Sequence, residues 1–106
     1  MNPIEFTSED TFDADAAEGH VVLFFTGRGC GYCNMAEKVL AKADLGGMRV
    51  LKVDGNANQR LCDAFGVEGY PHMSLLVDRY DIGVEHVGFK NGDALRAWLD
   101  DAKEMK

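Results

Sequence analysis

The chain has only three cysteines among its 106 residues, and this small, odd number excludes a scaffold held together by disulfides. No apolar run is long enough to cross a bilayer. Residues 1–5 contain no basic region followed by an apolar core, so we expect no secretory signal. We find no repeats, linkers or low-complexity segments. These features favour a cytoplasmic protein whose thiols are free or functional, although a mature secreted form without its leader would have the same sequence.

Positive charge is also scarce, because the chain has 11 Lys and Arg residues against 18 Asp and Glu residues, which gives a net charge of −7. This balance argues against nucleic acid or an anionic membrane as a general partner. The hydrophobic content of 46% is ordinary for a globular protein. The length predicts one domain over residues 1–106.

Strands and helices alternate in the first part of the chain. The predicted strands are Ile4–Phe6, 20–26 and Arg49–Asp54. The predicted helices are 9–17, capped by Thr7 or Ser8 and ended by Gly19; one that runs from Cys30 to Gly46-Gly47; and 58–65, closed by Gly66. The apolar run 21–25 is typical of a central strand covered on both faces. Right-handed crossovers then predict a mostly parallel sheet.

The second part of the chain predicts a hairpin followed by a helix. After Pro71, strands at 73–77 and 83–87 flank a turn at 78–81, and a last helix begins near Asp93 with Asn91 as its cap. The fold class is α/β, with a central mixed sheet of about five strands and about four helices. The residues expected on the inner face of the helix that begins at Cys30 are Tyr32, Met35, Ala36, Val39, Leu40 and Ala43. Those expected on the inner face of the last helix are Leu95, Trp98, Leu99 and Ala102.

Cys30-Gly31-Tyr32-Cys33 follows the apolar run 21–25 and opens the second helix, with Gly27-Arg28-Gly29 as a flexible turn before it. A helix N-terminus or a C-x-x-C context lowers a thiol pKa from ~8.5 to roughly 3.5–7.5. Unpaired backbone N–H groups and the helix dipole stabilise the thiolate there. We therefore predict that Cys30 is a nucleophile and that Cys33, one turn inside the helix, is a buried resolving thiol. Arg28 either adds positive charge near Cys30 or is merely solvated.

Gly66-Val67-Glu68-Gly69-Tyr70-Pro71 is the second informative string, about 40 residues after the thiols. Together with the C-x-x-C motif and the order of elements, this segment resembles the thioredoxin superfamily, and its residues are most similar to those of protein disulfide isomerase domains. The resemblance covers essentially the whole chain and implies a thioredoxin-like fold and a thiol–disulfide oxidoreductase, here a protein-disulfide reductase. It implies that Pro71 is a cis-proline beside the cysteines, as a tight turn before a strand allows. The residues it implies for substrate binding are Gly29, Gly31, Tyr32, Tyr70, Pro71 and Gly88.

The same resemblance implies protein disulfides as substrates and an electron donor of the thioredoxin-reductase type, with no bound cofactor. We expect a monomer that serves electron transport and redox homeostasis. Gly31-Tyr32 replaces the Gly-Pro pair of reducing thioredoxins and resembles the pair in bacterial periplasmic disulfide isomerases. This difference favours a potential nearer roughly −180 to −230 mV than ~−270 mV, so an isomerase or oxidant remains open.

The departures from the family concern proton transfer. Relatives commonly have Trp where Gly29 stands and a buried acid where Phe24 stands, so Cys33 must lose its proton to water or to another group. Lys52 matches a lysine that usually lies beside that acid and is predicted to lack this partner. It is either a candidate for proton transfer or a snorkelling or surface lysine. His72 replaces a common Thr and is either a proton carrier or a structural histidine.

Other classes of function also remain open. The chain has enough residues of the right type for a four-ligand zinc site: Cys30, Cys33, Cys62 and His72. These residues do not form the repeated C-x-x-C pairs typical of a zinc knuckle. Cys62 alone is interpreted as a buried small hydrophobe or as a regulatory thiol. A glutaredoxin-like enzyme and a redox-inert interaction domain are the remaining alternatives.

Overall fold

The computed structural model describes residues 2–78 and 80–105. Within them, the strands are β1 (Ile4–Phe6), β2 (Val21–Thr26), β3 (Arg49–Asp54), β4 (His72–Asp78) and β5 (Asp81–Val87). The helices are α1 (Phe12–Asp15), α2 (Gly31–Lys42), α3 (Gln59–Ala64) and α4 (Gly92–Lys103). The strands form one sheet in the order β1-β3-β2-β4-β5. The predicted α/β fold with a mixed sheet is confirmed.

Strand β2 lies at the centre of the sheet, as its continuous apolar sequence predicts. Val21 to Phe25 are all fully buried, because α1 and α3 cover one face of the sheet while α2 and α4 cover the other. Side chains alternate between faces along each strand, so Phe25 packs under α3 and Phe24 packs under α2. The two cores are thus separated by the sheet itself.

The parallel arrangement predicted for the first three strands is confirmed. Strand β3 pairs in parallel with β1 and β2, but β4 is antiparallel to both β2 and β5. Residues 65–71 connect α3 to β4, which runs in the opposite direction to β2. The hairpin of β4 and β5 is confirmed, whereas the turn predicted at 78–81 includes residue 79, which lies outside the described residues.

The first helix is much shorter than the predicted segment 9–17. The backbone N–H groups of Thr11 and Phe12 both donate to the Ser8 carbonyl, at 3.1 and 2.8 Å, and form a turn before α1 begins. The Glu9 N–H donates to Asn58 Oδ1 at 3.0 Å instead of facing a capping side chain from Thr7 or Ser8. Tertiary hydrogen bonding to the segment before α3 therefore replaces the first helical turn.

The predicted inner face of α2 is only partly correct. Ala36 and Leu40 are fully buried, but Tyr32 and Met35 are 61% and 50% exposed. The buried stripe of α2 consists of Cys33, Ala36 and Leu40. Tyr32 and Met35 flank this stripe, so the core face is rotated from the one that the periodicity predicted.

Candidate functional site

The two thiols lie where β2 ends and α2 begins. Cys30 is the N-cap of α2 and Cys33 lies in its first turn, with Cα atoms 5.2 Å apart and a disulfide between the sulfurs. The Cys33 backbone N–H donates to Cys30 Sγ at 3.1 Å, so this sulfur occupies the position of a capping side chain. Helix α2, all of which the structure describes, has no acidic residue in its first turn. The positive end of its dipole therefore faces Cys30 without a competing carboxylate.

The two cysteines differ in exposure in the predicted sense. Cys30 is half-buried and reachable, whereas Cys33 is only 4% exposed and packs with Phe24, Ala36 and Met73 in the core under α2. Reduction of the disulfide would leave one thiol accessible to a partner and one thiol beneath it.

Pro71 directly precedes β4 and follows a cis peptide bond at Tyr70–Pro71. Residue His72 of β4 pairs with Phe25 of β2, so Pro71 adjoins the end of β2 from which Cys30 follows. The Pro71 carbonyl accepts from the Gly88 N–H at 2.8 Å. Tyr70 packs against the same cluster as Cys30. The structure thus joins Pro71 and Gly88 at the end of the sheet from which Cys30 follows, and it packs Tyr70 in the cluster that includes both cysteines.

Apolar side chains lie at the end of the sheet from which Cys30 follows. The Tyr32 ring stacks on the Phe89 ring with centroids 6.3 Å apart and an interplanar angle of 26°. Val87 at the end of β5 is 69% exposed. Sequence reasoning missed Phe89 as a site residue, because only its position next to Gly88 in the sequence could have indicated it. Gly29 has a φ of +65° at the turn before Cys30, which favours glycine where relatives commonly have Trp.

Lys52 is not unpaired, which corrects the sequence prediction. Its Nζ lies 2.5 Å from Glu37 Oε1. Lys52 pairs with Phe24 in the sheet register and shares the face of the sheet that α2 covers. Glu37 lies four residues after Cys33 on α2, a spacing that brings Cβ atoms to roughly 5–6 Å on one helix face. The sequence analysis did not identify Glu37 as a site residue.

The imidazole of His72 lies on the opposite face of the sheet from Cys33. His72 is 3% exposed, packs edge-on against Phe25 at 5.9 Å, and its Nε2 lies 2.9 Å from Glu85 Oε2. Met73, the next residue, contributes to the core around Cys33 instead. The structure therefore does not bring His72 to the thiols.

Cys62 is buried in the core under α3, away from Cys33. Burial raises the pKa of its thiol, as expected for a small hydrophobe. Its sulfur lies 3.6 Å from the Gly55 carbonyl oxygen and 3.9 Å from the Tyr70 hydroxyl. Burial also raises the pKa of Tyr70, and its contact with Cys62 acts in the same direction.

The four candidate zinc ligands do not converge. Cys30 and Cys33 are joined to each other, while Cys62 and His72 lie on the other side of the sheet. Among residues 2–78 and 80–105, no group of three or more His, Cys, Asp or Glu side chains is arranged to hold a metal ion. No helix in this described part of the chain has the length and apolar character needed to span a bilayer.

Comparisons with known proteins agree on one family. The family model described as Thioredoxin matches residues 3–101. The chain is 33% identical over 94 residues to a thioredoxin of Chlamydia muridarum, covering 87% of this chain and 91% of that protein. It is 32% identical over 92 residues to a thioredoxin of Bacillus subtilis, covering 84% and 88%.

Solved structures give the same result for the fold. A mutant thioredoxin from Halobacterium salinarum superposes with a TM-score of 0.78 at 27% identity, covering 100% of this chain and 97% of that one. A thioredoxin from Malassezia sympodialis has a TM-score of 0.79 at 21% identity, covering 97% and 93%. This second likeness concerns the fold alone.

Proposed function

This chain belongs to the thioredoxin family and is a thiol–disulfide oxidoreductase, and on that premise we propose that Cys30 and Cys33 carry its protein-disulfide reductase chemistry. The observation that carries this assignment is the geometry of the pair. The disulfide at the start of α2 joins a reachable sulfur to a buried one. Neither a structural disulfide nor a metal site requires that difference in exposure.

The first step is attack by Cys30. In the reduced protein, its thiolate accepts the Cys33 N–H and faces the positive end of the α2 dipole, and both interactions stabilise the anion. The thiolate attacks one sulfur of a substrate disulfide. A mixed disulfide with Cys30 forms, the substrate disulfide breaks, and the second substrate sulfur leaves as a thiolate.

The second step is attack by Cys33 on the Cys30 sulfur. The Cys33 thiol first loses its proton, and Glu37 is the carboxylate placed one helical turn away, held by Lys52. We assign Glu37 as the proton acceptor, acting directly or through water. The Cys30–Cys33 disulfide forms, the mixed disulfide breaks, and the released substrate thiolate takes up the proton. The substrate gains two electrons and the cysteine pair loses two.

Substrate docking uses the surface beside Cys30. An extended segment would pair with the backbone of Tyr70 before Pro71, while Tyr32 supplies apolar contact and Gly29, Gly31 and Gly88 leave the approach open. The exposed rings and the absence of side chains at these glycines support a polypeptide as substrate. A bulky cofactor pocket is not required by the two steps above.

The proposed partners are proteins with disulfides and a reductase of the thioredoxin-reductase type that returns electrons to the oxidised pair. We propose that the protein works as a monomer in the cytoplasm. One cysteine pair and one buried free thiol suit a compartment that keeps other cysteines reduced, which supports the cytoplasm.

The test uses single cysteine replacements. Cys30→Ser should abolish the reduction of insulin disulfides, because the attacking sulfur is lost. Cys33→Ser should still attack but should accumulate mixed disulfides that mass spectrometry detects. In the control, replacing Cys30 as well should remove this trapping. Full reductase activity in either single variant would contradict the assigned roles.

A further inference from the structure

We propose that Tyr70 is a positioning residue that fixes the substrate-docking backbone at Pro71, and that Gly27 and Gly55 are glycines because the Tyr70 ring fills their side-chain space. This inference rests on the function proposed above and adds to it the residues that shape the docking segment. It assigns a role to a side chain, whereas the docking surface itself uses only the Tyr70 backbone.

The first observation concerns the two glycines. A Cβ atom on Gly55 would lie less than 3.0 Å from the Tyr70 Oη and Cε1 atoms, and one on Gly27 would lie less than 3.0 Å from Cδ2 and Cε2. Neither glycine has a positive φ, so backbone conformation does not require glycine at either position. The ring alone explains why both positions lack a side chain.

The second observation is that the ring is confined on both edges. The atoms nearest Gly27 belong to one edge of the ring, and those nearest Gly55 belong to the other edge and the hydroxyl. The hydroxyl also lies 3.9 Å from Cys62 Sγ. Movement away from one glycine therefore brings the ring toward the other side of the same slot, and the ring cannot easily give way to an added methyl group.

The third observation is the place of Tyr70 in the fold. It packs against both cores, the one under α3 and the one that includes Cys30 and Cys33. The ring therefore connects the loop before the thiols at Gly27, the loop after β3 at Gly55, and the segment that leads into Pro71. Because Tyr70 and Pro71 are adjacent, a displaced ring would displace the backbone that receives the substrate.

The experiment compares two glycine variants in different loops. Gly55→Ala should raise the KM for insulin at least about fivefold while kcat stays within about twofold, because docking and not bond exchange is disturbed. Reaction with a small aromatic disulfide, which does not need an extended docking segment, should be unchanged. Gly69→Ala is the matched control: its Cβ would meet no described atom within 4 Å and its φ is not positive, so its KM should match the wild type.

A double-mutant cycle isolates the ring from other effects of the methyl group. Tyr70→Ala should raise the KM much as Gly55→Ala does, and the two changes together should add nothing further, because the methyl group then has no ring to meet. The single variant Tyr70→Phe keeps the ring, so its KM should stay near that of the wild type. The thermal unfolding midpoint of each variant shows whether it is folded under the assay conditions.

Three results would overturn the inference. The first is a Gly55→Ala variant with the same KM as Gly69→Ala, and the second is a cycle in which the two effects multiply. The third, decisive even if Gly55→Ala fails to fold, is a Tyr70→Ala variant that binds insulin like Tyr70→Phe. A wild-type protein without disulfide exchange would instead contradict the proposed function itself.

Discussion

At the scale of single residues, the position under Cys33 is occupied by Phe24, which is fully buried and cannot accept a proton. The sequence left the proton acceptor open between water, His72 and another group. The structure directs His72 to the far face of the sheet and pairs Lys52 with Glu37 on the near face. The Glu37 carboxylate thus lies on the face of the sheet where Cys33 is buried.

Replacement of Glu37 tests this assignment. Glu37→Gln should slow the release of substrate from the Cys30 mixed disulfide near neutral pH by about 100-fold, the lower range for loss of a general base. The defect should diminish as the pH rises, because hydroxide increasingly deprotonates Cys33. The measurement is the single-turnover rate of thiol release across pH, and the alkylation rate of Cys30 should be unchanged.

His72→Thr serves as the comparison, since His72 is the other candidate from the sequence. The pH profile of this variant should match that of the wild type, because the imidazole that it removes contacts Phe25 and Glu85 and not the thiols. A wild-type profile in Glu37→Gln, or the predicted defect in His72→Thr, would move the acceptor away from Glu37.

At the scale of elements, α2 and α4 are both fixed at their N-termini by a residue that the sequence identifies. Cys30 caps α2 with its sulfur, and Asn91 caps α4 by accepting the Ala94 N–H at 2.8 Å. The predicted start of each helix agrees with the structure because a cap is a local interaction that depends on few neighbouring residues. Helix α1 has no side-chain cap, and its predicted start and length are wrong.

Loss of the α4 cap should destabilise the protein measurably. Asn91→Ala removes the acceptor for the Ala94 N–H and should lower the free energy of unfolding by ~1 kcal/mol. For a domain near this size, the corresponding decrease in the thermal midpoint is roughly 4–8 °C. Asn91→Ser keeps an acceptor and should lose only a small part of this stability. Equal stability of the alanine and serine variants would show that the cap does not stabilise α4.

At the scale of the whole molecule, helices on both faces of the sheet leave some polar groups between layers. His86 of β5 lies against Trp98 of α4 with ring centroids 5.7 Å apart. Within the described part of the chain, His86 Nε2 and Trp98 Nε1 are buried and have no hydrogen-bond partner. Burial, and to a smaller extent the charge of Lys90, lowers the pKa of His86.

This shift predicts that acid weakens the folded state. Below about pH 6.5 the unfolded chain takes up a proton at His86 before the folded chain does, so stability falls as the pH falls toward the folded pKa. His86→Leu should make the free energy of unfolding less dependent on pH between about pH 7 and pH 5. Urea unfolding at several pH values measures this pH dependence of the free energy of unfolding. The control is His20→Asn, which removes an exposed imidazole and suits the positive φ at that position. An unchanged slope in His86→Leu would remove this histidine as a cause of acid sensitivity.

Within the described residues, the sequence by itself determined the strands, three of the four helix positions and the place of the cysteine pair. These follow from local patterns: the apolar run 21–25, the cap at Asn91, and two thiols in one helical turn. Such patterns depend on neighbours along the chain, so one sequence is enough to identify them.

Only the tertiary structure decided the partners that lie far apart in sequence. It paired Lys52 with Glu37, directed His72 away from the thiols, left Tyr32 exposed and placed the Tyr70 ring over Gly27 and Gly55. These features depend on strand register and on the packing of separate elements against one another, which no local periodicity specifies.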